Sequence, residues 1–428
     1  MLPFFKKLAA NFGLNYTLNS GRNTTSDIFL SSNPQGGFSF VDEIKFDRRN
    51  FLEDYTAFAK FDFTPNNQHF IRFGIESTVH QYQTNVSDFL TTRKNARGDS
   101  TFLEEKATLN SPILRGYESA VYIEDDITFT PNLVVNAGLR ASHFWDRKIN
   151  FINLEPRFSL RWTVPNVFTI NATAAKMVQY SHALLSNEIG LEKLVWVPSS
   201  EKILPQTSWT YTAGLSKRFK KWQTNVSLEA FYKKMENLSQ FLFFADFGES
   251  VFHNWQQNII TGGRGEAYGL EFMIDKTEGR FNGALSYTLA WNNRTFRRPQ
   301  QRSSLSFQIR PSPHSQSFLA AINSPKVWKL GALFTFNTGF WLTIPDGQLV
   351  EVPFFQNTEF LYTAINNSKM PNFHRLDLNA AHEKRLKMVI SAHGASISIM
   401  LTTVLTPFLF MPRSLMRYLK RILNIPLK

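Results

Sequence analysis

An antiparallel transmembrane β-barrel is the fold class this sequence predicts, and three observations carry it. Stretches of about ten residues alternate apolar and polar side chains, the length a tilted strand needs to cross a bilayer. Short turns of the type Thr/Val-Pro-Asn alternate along the chain with much longer connectors, the asymmetry of a barrel with tight turns at one end and loops at the other. Apolar residues make up 43% of the 428 and Phe alone supplies 41, yet the mean hydropathy is slightly negative. That combination suits strands with every second residue apolar better than it suits long apolar blocks.

Alternation begins by Phe12. Tyr55, Ala57, Ala59, Phe61 and Phe63 share one face of a strand that the 64–67 sequence Thr-Pro-Asn-Asn breaks. Ile71, Phe73 and Ile75 then alternate with Arg72, Gly74 and Glu76. Val121, Ile123, Ile127 and Phe129 form the next face, with Glu124 and Asp126 on the other, and Thr130, Pro131 and Asn132 close it. In the return strand Val135, Ala137, Leu139 and Ala141 alternate with Asn136, Gly138, Arg140 and Ser142. Phe158, Leu160 and Trp162 are expected to face outward, with Arg157 and Arg161 inward, before Val164, Pro165 and Asn166 turn the chain into Phe168, Ile170 and Ala172. Pro presets the first turn position and Asn tolerates the next. Later strands are read over 209–219 with 222–232, 268–275 with 281–291, 328–340 and 375–381. The long connectors are 83–115, 180–206, 236–265 and 343–371.

Composition excludes several functions. With no Cys there is no disulfide framework, thiol catalysis or Cys-based zinc site. The nine His show no paired ligand spacing. The run Gly262, Gly263, Arg264, Gly265 lacks the Lys-Ser/Thr of a phosphate loop and reads as a turn. Neither a Ser-His-Asp arrangement nor a paired-carboxylate setting stands out, so no catalytic, cofactor-binding or metal residue is nominated, and the chain is not read as an enzyme. The net charge is +13, but 297–323 and 388–428 together hold nine Lys/Arg and no acid, so most of the excess is confined to two stretches and nucleic acid is not the implied partner. Lys217, Arg218, Lys220 and Lys221 form a charge run between two strands, read as a solvated turn or a lipid-headgroup contact. Residues 196–200, Trp-Val-Pro-Ser-Ser, are read as a structural loop element.

Several blocks resemble TonB-dependent outer-membrane receptors, of the Bacteroidetes type that carries a carboxypeptidase-regulatory-like N-terminal domain. They are EPRFSLRW at 155–162, the stretch 176–206, EAFYKKMENL at 229–238, the stretch 268–291, WKLGALFTFNTGFWLTIPDG at 328–347 and MPNFHRLDLNA at 370–380. They occur in the family's order and cover most of 50–382. The resemblance implies a barrel of about 22 strands, of which some 12–14 are read here, making an incomplete barrel with no plug domain. It also implies a Gram-negative outer-membrane location, with outer-membrane lipid and the TonB complex as partners. The expected cargo is a scarce nutrient, such as a siderophore, cobalamin or an oligosaccharide, of unknown identity and with unknown ligand-binding residues. The signal peptide, plug and TonB box that the family implies are not seen, so the fragment is not expected to transport unaided. The alternatives are a plugless passive channel or adhesin barrel, and a soluble β-rich carbohydrate-binding protein.

Two stretches depart from the family. The domain reading is therefore 1–387 as partial barrel, with 297–323 out of frame, and 388–428 as a frameshifted tail replacing the last strand. Both stretches are expected to be loop-like or to fail to pair. Taken as printed, 388–412 is mostly apolar and precedes Arg413, Arg417, Lys420 and Arg421, a candidate membrane helix with a basic flank. Read one nucleotide earlier, codons for 400–408 can yield the alternating peptide NAYNRTNPF, and sequencing the locus tests this. Codons that cannot give that peptide in either alternative frame refute the frameshift.

Overall fold

A computed structural model of the chain describes residues 2–5, 7–32, 38–95, 101–186, 193–241, 259–279, 281–296, 314–323, 328–339, 341–342, 347–349, 359–361, 367–382 and 396–401. Every regular element among them is a strand, and no helix is long and apolar enough to cross a membrane. In chain order the strands are β1 (Leu2–Phe5), β2 (Leu8–Ser32), β3 (Phe38–Phe63), β4 (His69–Asn95), β5 (Thr101–Asn110), β6 (Leu114–Thr130), β7 (Leu133–Trp145) and β8 (Asn150–Val164). Next come β9 (Phe168–Gln179), β10 (Ser181–Ser186), β11 (Lys193–Pro198), β12 (Gln206–Phe219), β13 (Thr224–Phe241), β14 (Ile259–Lys276), β15 (Phe281–Thr295) and β16 (His314–Asn323). Last are β17 (Trp328–Asn337), β18 (Trp341–Leu342), β19 (Gly347–Leu349), β20 (Glu359–Leu361), β21 (Ser368–Lys369), β22 (Phe373–His382) and β23 (Ser396–Leu401).

Seventeen strands join into one sheet. Every ladder in it is antiparallel, and the wall runs β1, β2, β3, β4, β6, β7, β8, β9, β12, β13, β14, β15, β16, β17, β22, β23. The remaining strand, β5, continues the line of β6 along the far half of β4. Among the described residues no ladder joins β23 to β1 or β2, so the sheet is an incomplete barrel. The count exceeds the expected 12–14 by the stub β1, the extension β5 and the tail strand β23.

Large apolar side chains stand exposed on one face. Leu14 is 84% exposed, and Phe12, Ile75, Val121, Ile123, Phe158 and Trp162 are also exposed. On a soluble protein a patch of this extent would be a liability, whereas hydrocarbon solvates it. The outward row is aromatic towards the long-loop end, where register aligns Tyr211, Tyr232, Tyr268 and Trp291 across four strands. At the short-turn end Phe219 and Trp222 stack, 5.6 Å apart. Two aromatic belts bounding an apolar band are the marks of a transmembrane wall. The expectation for Phe158, Trp162 and Arg157 holds. The two apolar residues stand on the outward row, while Arg157 lies 4.0 Å from Glu124 on the opposite face. Gly138 lies between that pair in register, where a Cβ would fall 2.8 Å from Glu124 Cβ and 3.0 Å from Arg157 Cγ.

Several expectations are corrected. The connector 83–115 is mostly strand, because β4 runs on to Asn95 and pairs with β5. The sheet there overshoots the bilayer-length strand that the pattern predicted. The glycine run 262–265 lies within β14 and is not a turn. Gly262 has φ +71° beside a register irregularity, and bare Gly263 lets the Phe296 ring lie against the backbone. Within 297–323, residues 314–323 form a paired strand, contrary to the expected loop; 297–313 lie outside the described residues. The register sets Phe318, Ala320 and Ile322 level with the outward Leu330, Ala332 and Phe334, so enough period-two pattern persists to pair.

The expectation that the tail fails to pair is overturned over 396–401. There Ile397, Ile399 and Leu401 align with Ala380, Leu378 and Leu376, because Ser-Ile-Ser-Ile does alternate. The rest of 388–428, including the candidate helix, lies outside the described residues.

Leu215 lies midway between Phe219 and Tyr211 on the outward face of β12. Leu215→Arg should lower folding stability in lipid vesicles by about 2–4 kcal/mol. The inward neighbour change Ser216→Arg should cost far less, read by urea titration of tryptophan fluorescence.

Candidate functional site

The inner face of the wall is polar and charged, as the period of two requires when the outer face is apolar. Arg72 Nη2 bonds Asp126 at 2.9 Å and its Nε lies 3.0 Å from Glu124. Asn136 donates to the second Asp126 oxygen at 2.8 Å. One turn-width further along the strands, Arg140 stands among three carboxylates, Glu118 at 3.5 Å, Glu155 at 3.7 Å and Glu76 at 3.8 Å. His80 meets Asp54 at 2.7 Å and Glu118 at 3.5 Å. Around Arg140 and His80 four acids, Asp54, Glu76, Glu118 and Glu155, thus stand against two cationic side chains. The surplus acid suits a cationic or hydrogen-bond-donating partner. Among the described residues no group of three or more His, Cys, Asp or Glu is arranged to hold a metal ion.

Above this ladder, strands β10 and β11 form a hairpin with Ser181 opposite Pro198 and Ser186 opposite Lys193. The hairpin packs against β13 on one side and against β2, β3, β4 and β6 on the other. Five wall strands separate β4 from β13. On a flat sheet those two strands would lie roughly 29 Å apart at the usual interstrand spacing. A two-stranded hairpin cannot span that distance, so the sheet curls and the hairpin crosses its hollow as a chord.

The chord is anchored by buried side chains of the wall and of its own flanks. Leu184, Val197 and Ile203 close on Phe241 of β13. The Phe144 ring stacks on Tyr180 at 5.0 Å, with Ile149 beneath. Polar contacts fix the position. Tyr82 Oη and Ser181 Oγ are 2.6 Å apart, Asn153 Nδ2 donates to Tyr180 Oη at 2.9 Å, and Ser142 Oγ lies at the same distance from that hydroxyl. Glu155, one of the three carboxylates at Arg140, also accepts the Val178 N–H at 3.2 Å. Glu155 thus joins the charged ladder to β9, the strand that leads into the hairpin. His182 and Ser199 are fully buried, with Nε2 2.9 Å from Ser199 Oγ, and Ser199 Oγ donates to the Tyr180 carbonyl at 3.0 Å. The other ring nitrogen of His182 is buried without a partner.

The sequence reading nominated no site residue. It placed 196–200 in a loop, and the structure seats that segment at the end of β11, with Val197 and Ser199 buried. His182, Tyr82, Phe144 and Tyr180 were missed. The available signal was the length of connector 180–206, since connectors that long with internal apolar runs usually have a function of their own.

A family profile described as "TonB dependent receptor-like, beta-barrel" matches residues 4–395. The chain belongs to this receptor-barrel family. The match passes through 297–323 and ends beyond 387. Solved structures similar to this barrel include the RagAB peptide transporter, at TM-score 0.55 and 9% identity over 94% of this chain and 57% of that one. The P. aeruginosa FpvA–ferripyoverdine complex gives 0.53 and 11% over 89% and 48%. BauA, the ferric preacinetobactin receptor from Acinetobacter baumannii, gives 0.53 and 11% over 90% and 55%. The barrel thus spans about half the length of these structures. No curated protein matches it.

Burial pushes the His182 imidazole down to about 4 from 6.5. The unfolded or undocked hairpin therefore binds a proton between those values that the docked one does not. Docking is strongest above pH 6.5 and loses up to roughly 3 kcal/mol as pH falls to 4. Amide exchange of 181–198, corrected for intrinsic pH dependence, should accelerate relative to β12 and β13 over that window, and His182→Phe should flatten the difference.

Proposed function

We propose that this chain is the wall, external loops and lumenal chord of an outer-membrane receptor that takes up a scarce nutrient. On this reading the short turns face the periplasm and the long connectors face the outside. The observation that carries it is the hairpin β10–β11 docked across a charged hollow whose outer face is apolar. Solute entering from the loop end meets the chord first and then the acidic ladder around Arg140. Family membership and the titles of the similar structures support uptake of a ferric siderophore or a peptide, with cobalamin or an oligosaccharide as further classes. Uptake against a gradient needs energy delivered through the TonB complex, which the family name implies as a partner. The passive channel is the second reading, and the chord would then act as its constriction.

The test is uptake by Gram-negative cells expressing the chain from its native locus. Accumulation of labelled ferric chelates, cobalamin, oligosaccharides and short peptides should concentrate in one class, and a protonophore should abolish it. Glu118→Gln should reduce accumulation several-fold without removing the protein from the outer-membrane fraction. Flux that ignores the protonophore assigns the passive channel, and recovery of the chain in the soluble fraction overturns both readings.

A further inference from the structure

Five cations crowd one lip of the wall at the short-turn end. Lys217, Arg218, Lys220 and Lys221 lie at the end of β12 and in its turn, and Lys276 ends β14. Lys220 Nζ reaches across to the preceding turn and donates to Asn166 Oδ1 at 2.9 Å. Lys276 Nζ donates to the Trp222 carbonyl at 2.7 Å. Both partners are neutral oxygens, so neither ammonium charge is cancelled. Lys217 Nζ sits over the Phe219 ring, 5.2 Å from its centroid. The neighbouring acid is Glu278, which lies 3.9 Å from Arg218 and accepts from Gln223 at 2.6 Å. Asp275 is on the inner face, where Asn225 donates to it at 3.3 Å.

The same lip carries the aromatic belt of that end. Trp222 is 61% exposed and Phe281 65%, and Phe219 stacks on Trp222. Positive φ at Asn166 and Gln223 brings the two turns round tightly. Between them lies a recess of about 350 Å³ lined by Asn166 and the stretch from Lys217 to Trp222, a volume in the range of small-ligand sites.

We infer that this lip is a binding site for the phosphodiester headgroup of an anionic phospholipid in the periplasmic leaflet. The lysines are positioned to hold the phosphate, while Trp222, Phe219 and Phe281 lie along the glycerol and upper acyl chain. Charge and hydrophobicity decide the occupant together. Free phosphate would satisfy the cations and leave the exposed indole and phenyl rings against water. A zwitterionic lipid would cover the rings but bring its own cation to the lysines. An anionic amphiphile satisfies both, and each lysine near such a surface strengthens binding about fivefold. The inference rests on the reading of the chain as a membrane wall with its short turns in the periplasm.

The test uses the full chain reconstituted into mixed phosphatidylcholine–phosphatidylglycerol vesicles in which one of the two lipids, and then the other, is dibrominated. Trp222→Phe isolates the indole that reports on the lip. The Trp222 component should be quenched several-fold more strongly by the glycerol lipid than by the choline lipid. Lys217→Gln, Lys220→Gln and Lys221→Gln are surface changes that leave the ladders intact. Each should lower that preference by roughly fivefold, with flotation unchanged. Equal quenching by the two lipids, or a preference that survives all three substitutions together, overturns the site. Loss of the preference in millimolar inorganic phosphate at constant ionic strength assigns a free-anion site and overturns the lipid. A chain that floats with neither lipid refutes the membrane wall and the lipid site with it, whereas one that floats without headgroup preference refutes the site alone.

Discussion

An unpaired N–H or C=O in hydrocarbon costs several kcal/mol, because no water is present to take it. The succession of antiparallel ladders from β1 to β23 meets that constraint strand by strand, and the other features of the molecule depend on it. Side chains can be exposed to lipid only because the backbone behind them is already paired. Pro65, Pro131 and Pro165 stand in turns for the same reason, whereas Pro156 lies inside a wall ladder, opposite Leu139. The outermost strands β1 and β23 each have a ladder on one side among the described residues, and in lipid such an edge needs a partner.

Pairing every backbone group forces alternation, and alternation forces a charged interior. Two arrangements manage the charge. Near the short-turn end, Arg72 and Arg157 sit against Glu124 and Asp126 with close to balanced charge. Nearer the loops, Arg140 is outnumbered by Glu76, Glu118 and Glu155, and His80 shares Glu118 with it. Charges in a partly enclosed hollow are screened less than on an open surface, so this second cluster weighs most on the field in the hollow beside the chord.

The chord converts an open trough into a site. Its apolar residues Leu184, Val197 and Ile203 find in Phe241 a cover that the wall alone would not provide. The hydroxyls of Tyr180 and Ser181 are held by Ser142, Asn153 and Tyr82. Glu155 stands beside Arg140 and also accepts from Val178 of β9, the wall strand that leads into the hairpin. Connections of this kind join sites when the joined element has two positions to choose between. A hairpin held on opposite sides by separate clusters is suited to that.

The sequence by itself determined the strand periodicity, the inward and outward faces of 55–63, 71–76, 121–129, 133–142 and 157–172, and the Pro-Asn turns. All of these are local, set by a period of two and by the backbone preferences of Pro and Asn. It also carried the family resemblance, through blocks whose order the fold preserves. Strand ends beyond the bilayer, as at 83–95, were not legible, because outside lipid an extended hairpin no longer needs apolar alternation. The pairing of 314–323 and 396–401 was misjudged, since an open strand edge accepts a weakly alternating neighbour. The site was decided only in three dimensions. Tyr82 of β4 and Ser181 at the start of the hairpin come from segments whose local pattern says nothing of one another. They meet because the sheet curls, and curl is the summed twist and closure of many strands, not a property of any one of them.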